Sequence, residues 1–594
     1  MSLFRDLLIE KKRKPYYCEV EYLESTGTQY IDTGYTPKPT STYKSTFQLT
    51  NITTTSGNWF CVFGSVESNN STFTELFLPR SSGGGDVNQI LAGSHNSTYL
   101  RTDYPWAVNT KYNFEMNPTS VLVNGVSQGS ISVDSSITCS HSIYLFARHE
   151  YNDAVRYNVS AKIHSFIIYE GNMLVRDLTP CLDWSMTPCM YDKVSGKLFY
   201  NAGTGDFTHG REIHYVDYLE SDGTQYINTG VTLTNNHSVE IDYQLTSASQ
   251  NRKGIFGGLV TNGSRFGALL SPSNNYLEFG YGSTNVWYQT GLPDTKRHIM
   301  KQQKNLLYFD GALIYTFETA TFTQSFTAPL GNFNYTNYNP ASAKYYSSKW
   351  WDNDTLVRDY LPAIDENGVG FMFDRVTHTI FDNAGTGAFK YSAREIEYLS
   401  STGTQYIDTG FMPNQDTKIE VVGKFTNSYP ACLYATRWSQ SPTYDTYGGY
   451  AENNSQGMLY TYYGRYSDGN FIGVSNATFP YRDGNFIKFI QDKNKLDFTN
   501  LGTNDNWTYT FNETTFQSTR SLTLFYFSSS SSFATRGGTI KTTKIWDNGT
   551  LTRNYVSAYK DGALGLYDKA NDVFYPNEGS GTFTGGKIIE SRWF

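Results

Sequence analysis

Three sets of residues have types and spacings that could do chemistry. Gly125-Val126-Ser127-Gln128-Gly129 has the GxSxG spacing of a serine nucleophile, which works only where a strand turns sharply into a helix and lifts the hydroxyl clear of the sheet. Here it follows Val121-Leu122-Val123-Asn124 and leads into another strand, so the spacing predicts an Asn-Gly hairpin and no catalytic residue. The six cysteines and nine histidines show neither CxxC nor HExxH spacing, so no metal and no cofactor are expected. The third set is aromatic. Tyr444, Tyr447, Tyr460, Tyr462 and Tyr463 crowd one stretch together with Arg465, and Tyr276 and Trp287 make a smaller group earlier in the chain. Ring faces cover the apolar side of a pyranose while polar neighbours take its hydroxyls, so these are the candidate glycan-binding residues.

Composition narrows the scaffold that must position them. The chain has 594 residues with 48 Tyr, 38 Phe and 10 Trp, and charged residues make up only 17%. An apolar mass carried by aromatics amid Ser, Thr, Asn and Gly favours strands and turns over helices. At roughly 150 residues per domain the length predicts several domains. A net charge of −8, with no basic block beyond Lys11-Lys12-Arg13-Lys14, argues against a nucleic-acid partner, because nothing could track a phosphate backbone. The longest apolar runs are strand-sized, such as Ile163 to Tyr169, so neither membrane insertion nor a signal peptide is expected. Five cysteines precede residue 190, Cys432 stands alone, and the middle of the chain has none. No shared disulfide framework fits that distribution, and reduced, buried thiols are expected.

The chain repeats itself. EYLESTGTQYIDTG runs from Glu21 to Gly34, DYLESDGTQYINTG from Asp217 to Gly230, and EYLSSTGTQYIDTG from Glu397 to Gly410. Each repeat closes alike, with an Arg in a late strand, an Asp 15 or 16 residues on, and a Gly-rich string such as Asn201-Ala202-Gly203-Thr204-Gly205. Spacings of 196 and 180 residues between openings are those of whole domains rather than solenoid units. The boundaries read as 1–14 for an N-terminal segment, then 15–213, 214–394 and 395–594. Within a repeat, Val239, Ile241, Tyr243 and Leu245 alternate with polar neighbours, a strand with one buried face. Arg176 with Asp192, Arg358 with Asp374 and Arg553 with Asp568 are expected to form charge-assisted ties between late strands, a structural role.

These paired opening and closing signatures resemble the laminin-G-like, concanavalin A-like jelly rolls, in a variant similar to virion proteins of gut bacteriophages. The resemblance implies an all-β chain of three tandem antiparallel β-sandwich jelly rolls, with glycan or protein binding as the common use. Glycosidases of the laminarinase type share that fold and need a carboxylate triplet. Glu240-Ile241-Asp242 supplies two members, but Leu245 stands where the third is required, so the chain is read as non-enzymatic. Oxygen-rich turns such as Asp352-Asn353-Asp354 could contribute calcium ligands, yet they lack EF-hand spacing and match ordinary hairpin chemistry.

Residues 1–10 place Leu3 with Leu7 and Phe4 with Leu8 at i, i+4, which predicts a short amphipathic helix docking on another virion protein. The leading expectation is a virion component, a tail, fibre or capsid-decoration protein, that attaches by this segment and presents lectin-like domains to host-surface polysaccharide. A purely structural virion protein bridging neighbouring subunits is the alternative, and a bacterial surface adhesin the third reading. No coiled-coil heptads fix an oligomeric state, and a homo-oligomer stays open.

Overall fold

The computed structural model describes residues 14–589 except 53–58, 68–71, 79–87, 260–263, 272–275, 289–292, 336–338, 426–430, 437–444, 452–457, 466–470, 476–477, 482, 530–531 and 536. Among the described residues every regular element is a strand, as the aromatic, β-branched composition requires. The helix expected around Leu3, Phe4, Leu7 and Leu8 lies outside the described residues. Among the described residues no helix is long and apolar enough to cross a membrane.

The chain forms two compact units, Met1–Lys390 and Tyr391–Phe594. The second unit is one antiparallel sandwich. Its larger sheet runs Asn506–Thr510, Lys495–Asn500, Ile487–Asp492, Thr417–Lys424, Gly538–Asp547, Thr550–Lys560, Ala563–Asp568, Val573–Pro576. Its smaller sheet runs Ile407–Asp408, Leu522–Leu524, Ala431–Thr436, Asp445–Ala451, Met458–Arg465, Phe471–Ser475. Neighbours far apart in sequence show the chain crossing between sheets, which makes a jelly roll. Side chains such as Ile419, Val421, Phe489, Ile545 and Tyr555 fill the space between. The first unit contains the same large-sheet order twice, from Val126–Ser130 to Lys197–Phe199 and from Ala312–Thr316 to Thr379–Phe381.

Local chemistry accounts for the elements. Strand His237–Leu245 buries Val239, Ile241, Tyr243 and Leu245 while Glu240, Asp242 and Gln244 stay half-exposed. Asn124 and Gly125 both take positive φ, 51° and 77°, between strands Ser120–Val123 and Val126–Ser130. That is the turn an Asn-Gly hairpin requires, and it places Ser127 on a strand. The six cysteines are free thiols; Cys139 is half-buried and the others are buried.

The expected division at 213/214 falls inside strand Glu212–Tyr215. Its first half, Glu212 and Ile213, pairs with Cys18–Val20 and its second half, His214 and Tyr215, with Thr355–Ile364, so the two sandwiches of the first unit share a continuous sheet. Side chains reinforce the join. Arg211 binds Asp382 at 2.7 Å and Asp365 at 3.1 Å, and Lys111 Nζ donates to the His378 carbonyl at 2.9 Å.

In each repeat the opening and closing signatures clasp one another. Asn201 Oδ1 accepts the Tyr30 N–H at 3.2 Å while its Nδ2 donates to the Gly205 carbonyl at 2.6 Å. Asn383 repeats this with Tyr226 and Gly387, and Asn577 with Tyr406 and Gly581. A side chain at Gly203, Gly385 or Gly579 would put a Cβ 2.0–2.2 Å from the opposing threonine carbonyl, so only glycine lets the strings meet. Beneath the clasp, Gln405 is buried and its Oε1 accepts from the Thr402 N–H at 2.9 Å and from the Ser401 hydroxyl at 3.0 Å.

The late-strand ion pairs are arranged differently from the expected ties. Arg176, Arg358 and Arg553 hold Nε 3.6–3.7 Å from Asp192, Asp374 and Asp568, beyond hydrogen-bond reach. Each carboxylate is fully buried and is spent on its own hairpin. Asp192 accepts from the N–H groups of Asp177 and Val194 and from the Ser195 hydroxyl; Asp374 and Asp568 do the same with Asp359, Val376 and Thr377, and with Asn554, Ala570 and Asn571.

Replacing the buried amide strands its partners without acceptors. We expect Gln405→Ala to cost about 2 kcal/mol and lower the melting transition of the second unit by roughly 4–8 °C in calorimetry, whereas the exposed Thr550→Ala leaves it unchanged.

Candidate functional site

The clasped opening strand carries a second feature on its outer edge. Ile31–Asp32 pairs with Tyr144–Leu145, Ile227–Asn228 with Pro329–Leu330, and Ile407–Asp408 with Leu522–Leu524. With period-two alternation, Ile31, Ile227 and Ile407 point into the cores. Tyr30 and Asp32, Tyr226 and Asn228, and Tyr406 and Asp408 therefore face the rim. Asp32 Oδ1 accepts the Ser142 hydroxyl at 2.6 Å and the Gly34 N–H at 2.9 Å. Asp408 accepts the Ser521 hydroxyl and the Gly410 N–H at 2.8 and 2.9 Å. A second tyrosine completes the rim, with Tyr30 against Tyr144 at 4.8 Å between ring centres and Tyr406 against Tyr526 at 4.9 Å.

In the second repeat this rim opens into a cavity of about 210 Å³ lined by Tyr226, Asn228, Thr327, Asn332, Asn334 and Tyr335, with Pro329 and Phe333. Two phenol rings, three amides and a hydroxyl surround a space smaller than the roughly 300–1,000 Å³ that encloses a drug-sized ligand. It suits a single polyhydroxylated ring whose remainder stays in solvent. In the first repeat the corresponding edge is built from rings. Tyr144 stacks flat on His149 at 4.0 Å, and burial pushes its phenol up to about 12, which keeps its proton available to an acceptor. A separate cavity of about 460 Å³ in the second unit is lined by Asp416, Lys418, Asp492, Lys493 and Trp546. Its charges pair with one another, Lys493 with Asp416 at 3.2 Å and Lys418 with Asp492 at 3.4 Å.

The residues singled out from sequence are distributed otherwise. Tyr447 and Tyr463 are fully buried in the core, stacked on Phe516 and Phe511. They cannot face a glycan, because strand alternation turns them inward. Tyr460 and Tyr462 lie on the opposite face of the strand that carries Tyr463, packed with Cys432 and Ala435. Arg465 ends that strand, and Tyr444 lies outside the described residues. Tyr276 is half-buried. Trp287 is 54% exposed, its Nε1 donating to Glu278 at 3.2 Å beside Arg265 and Asn285. The rim tyrosines and carboxylates were missed because they sit inside the shared signature, where common residues read as scaffold. The alternation in Gln-Tyr-Ile-Asp was the available signal.

One buried acidic cluster adjoins the first repeat's rim. Glu75 is fully buried, accepts a hydrogen bond from Tyr99 and lies 3.5 Å from Arg148, which also binds Glu150 at 2.9 Å. Burial pushes the Glu75 carboxyl up to about 7, against the pull of Arg148. The two carboxylates are shut away from solvent, and Arg148 lies between them.

No protein-family model matches the chain, and no curated protein matches it in sequence. Among solved structures it is similar to domains LG4-5 of the mouse laminin alpha1 chain, with 15% identity, 57% of this chain and 92% of that chain covered, and a TM-score of 0.23. It is also similar to the LG1-3 region of the laminin alpha2 chain, with 10% identity, 95% and 99% covered, and a TM-score of 0.24. The NanB sialidase from Streptococcus pneumoniae matches with 8% identity, 94% and 99% covered, and a TM-score of 0.19. At these scores the likeness carries no functional argument, and the jelly-roll assignment rests on the strand order itself.

The raised Glu75 carboxyl sets a pH signature. A folded state that holds this proton more tightly than the unfolded value of 4.5 loses Glu75's contribution as pH climbs from about 4.5 through 7. Glu75→Gln does not titrate, so its stability relative to the native chain should improve by about 3 kcal/mol between pH 4.5 and 8, measured by urea denaturation at both ends.

Proposed function

We propose that this chain is a non-enzymatic, lectin-like protein whose repeats bind surface glycans at the rim beside the opening strand. The observation that carries this reading is the cavity of about 210 Å³ in the second repeat, where Tyr226 and Tyr335 flank Asn228, Asn332, Asn334 and Thr327. Rigid phenol rings cover an apolar sugar face at little entropic cost, and amides both donate to and accept from hydroxyls. Recurrence of the tyrosine-carboxylate or tyrosine-amide edge in each repeat supports weak sites added together, since linked sites raise avidity without new contacts.

The biological setting belongs to the same proposal. The signatures that resemble phage jelly rolls support a virion tail, fibre or decoration protein, held by Leu3, Phe4, Leu7 and Leu8 and directed at host polysaccharide. Mass spectrometry of purified particles finds the chain if this setting is right and misses it if the chain is a bacterial adhesin.

The binding claim is tested with the full chain on immobilised bacterial capsular polysaccharides. Saturable binding is expected, and Tyr226→Ala combined with Tyr335→Ala should weaken it about tenfold, or 1.4 kcal/mol, with the melting temperature held. Binding unaltered in a folded double variant, or no binding at all, overturns the rim as the glycan site.

A further inference from the structure

The first repeat's rim brings together three side chains that the sequence keeps apart. His141 precedes strand Tyr144–Leu145, His149 ends strand Arg148–His149, and Asp153 sits in the tight turn that leads back to Val155–Arg156. The turn is closed by the Glu150 N–H on the Ala154 carbonyl at 2.8 Å and the Asp153 N–H on the Glu150 carbonyl at 3.0 Å. Asp153 takes a φ of 59° there. Ligand atoms of all three residues lie within 4.8 Å of one another. Asp153 Oδ1 is 3.4 Å from His149 Nε2 and 3.9 Å from His141 Nε2.

The far side of each imidazole is already held. His141 Nδ1 lies 2.9 Å from Glu67 Oε2, and that carboxylate is fixed in turn by the N–H groups of Ser140 and His141 and by the Ser140 hydroxyl. His149 Nδ1 lies 3.0 Å from the Ser142 carbonyl. Carbonyl and carboxylate can only accept, so both rings donate from Nδ1 and aim Nε2 towards Asp153. A neutral imidazole has no second proton for that contact, and a cation placed between them supplies what is missing. Ring nitrogens backed by a carboxylate and a carbonyl are the arrangement that orients metal-binding histidines.

We propose that His141, His149 and Asp153 form a divalent transition-metal site of the zinc class, with its remaining position open to solvent. Two imidazoles and one carboxylate suit zinc and its neighbours, whereas calcium takes six to eight oxygens. Tetrahedral bonds of roughly 2.0–2.1 Å set ligand atoms about 3.3 Å apart, close to the 3.4 and 3.9 Å that separate Asp153 from the two ring nitrogens. Asp153 is 88% exposed, which leaves a path for the ion and for a water or ligand oxygen on it. The site is distinct from the glycan reading and does not depend on it.

The test is calorimetric titration of the metal-stripped full chain with zinc chloride, repeated with excess calcium. One zinc per chain that calcium does not displace is expected, and cobalt in its place should show the strong visible bands of a four-coordinate site. His149→Ala should weaken zinc at least a hundredfold, and Glu67→Gln about tenfold by releasing the His141 ring. Because His149 packs under Tyr144, Asp153→Asn is the variant that keeps the fold, since asparagine accepts the same left-handed backbone; it should weaken zinc at least tenfold. Cys18, Glu212 and His214 form the other close group of ligand types among the described residues, and Cys18→Ser should leave binding intact. Absence of zinc binding, retention in both His149→Ala and Asp153→Asn, or loss in Cys18→Ser overturns the proposal.

Discussion

Each sandwich depends on a short polar clasp between the strand that begins it and the strand that ends it. The amides of Asn201, Asn383 and Asn577 tie the opening tyrosine's backbone to the closing glycine string. A jelly roll is otherwise a collection of long-range pairings, each of which must repay the entropy of closing a long loop. By fixing both ends of the repeat at one place, the clasp sets the register of the opening strand. That register decides which side chains enter the core and which reach the rim.

The rim follows from this constraint. Tyr30, Tyr226 and Tyr406 are held by their own backbone groups, through the N–H on the clasping asparagine and the carbonyl on Ala202, Ala384 and Glu578. Their backbones are therefore fixed on both sides of the ring-bearing carbon, which aims each ring along the rim. The frame is common and the lining is not. Where the first repeat places Tyr144 and His149, the second places Pro329 and Asn334 around an open cavity, and the third has Thr523 on its edge with Tyr526 beside it. One scaffold thus offers three different chemistries at the same station.

Much of this was legible in the sequence where the signal is local. The Asn124-Gly125 hairpin, the alternation in Val239 to Leu245 and the paired signatures all depend on neighbours a few residues apart. The candidate site was less legible, because chemistry at a rim is assembled from distant segments. His141 and Asp153 meet only through the hairpin at Glu150–Ala154, and Glu67 joins them from another strand. Tyr447 and Tyr463 misled because tyrosine-rich strands carry the same letters on both faces of their sheet. Only tertiary structure says which face is which, and here Phe511 and Phe516 claim the inward rings.

The pairing of Cys18–Val20 with Glu212–Tyr215 has a mechanical meaning. These strands are antiparallel, and the chain enters the first sandwich and leaves it at the same end of their ladder. Tension applied between entry and exit therefore peels that ladder one hydrogen bond at a time, instead of shearing its bonds together. Cys18 and Glu19 also pair with Leu182 and Cys181 in the body of the sandwich, so the same pull reaches that ladder too. The first repeat thus takes load between its ends strand pair by strand pair, at the seam where it joins the second.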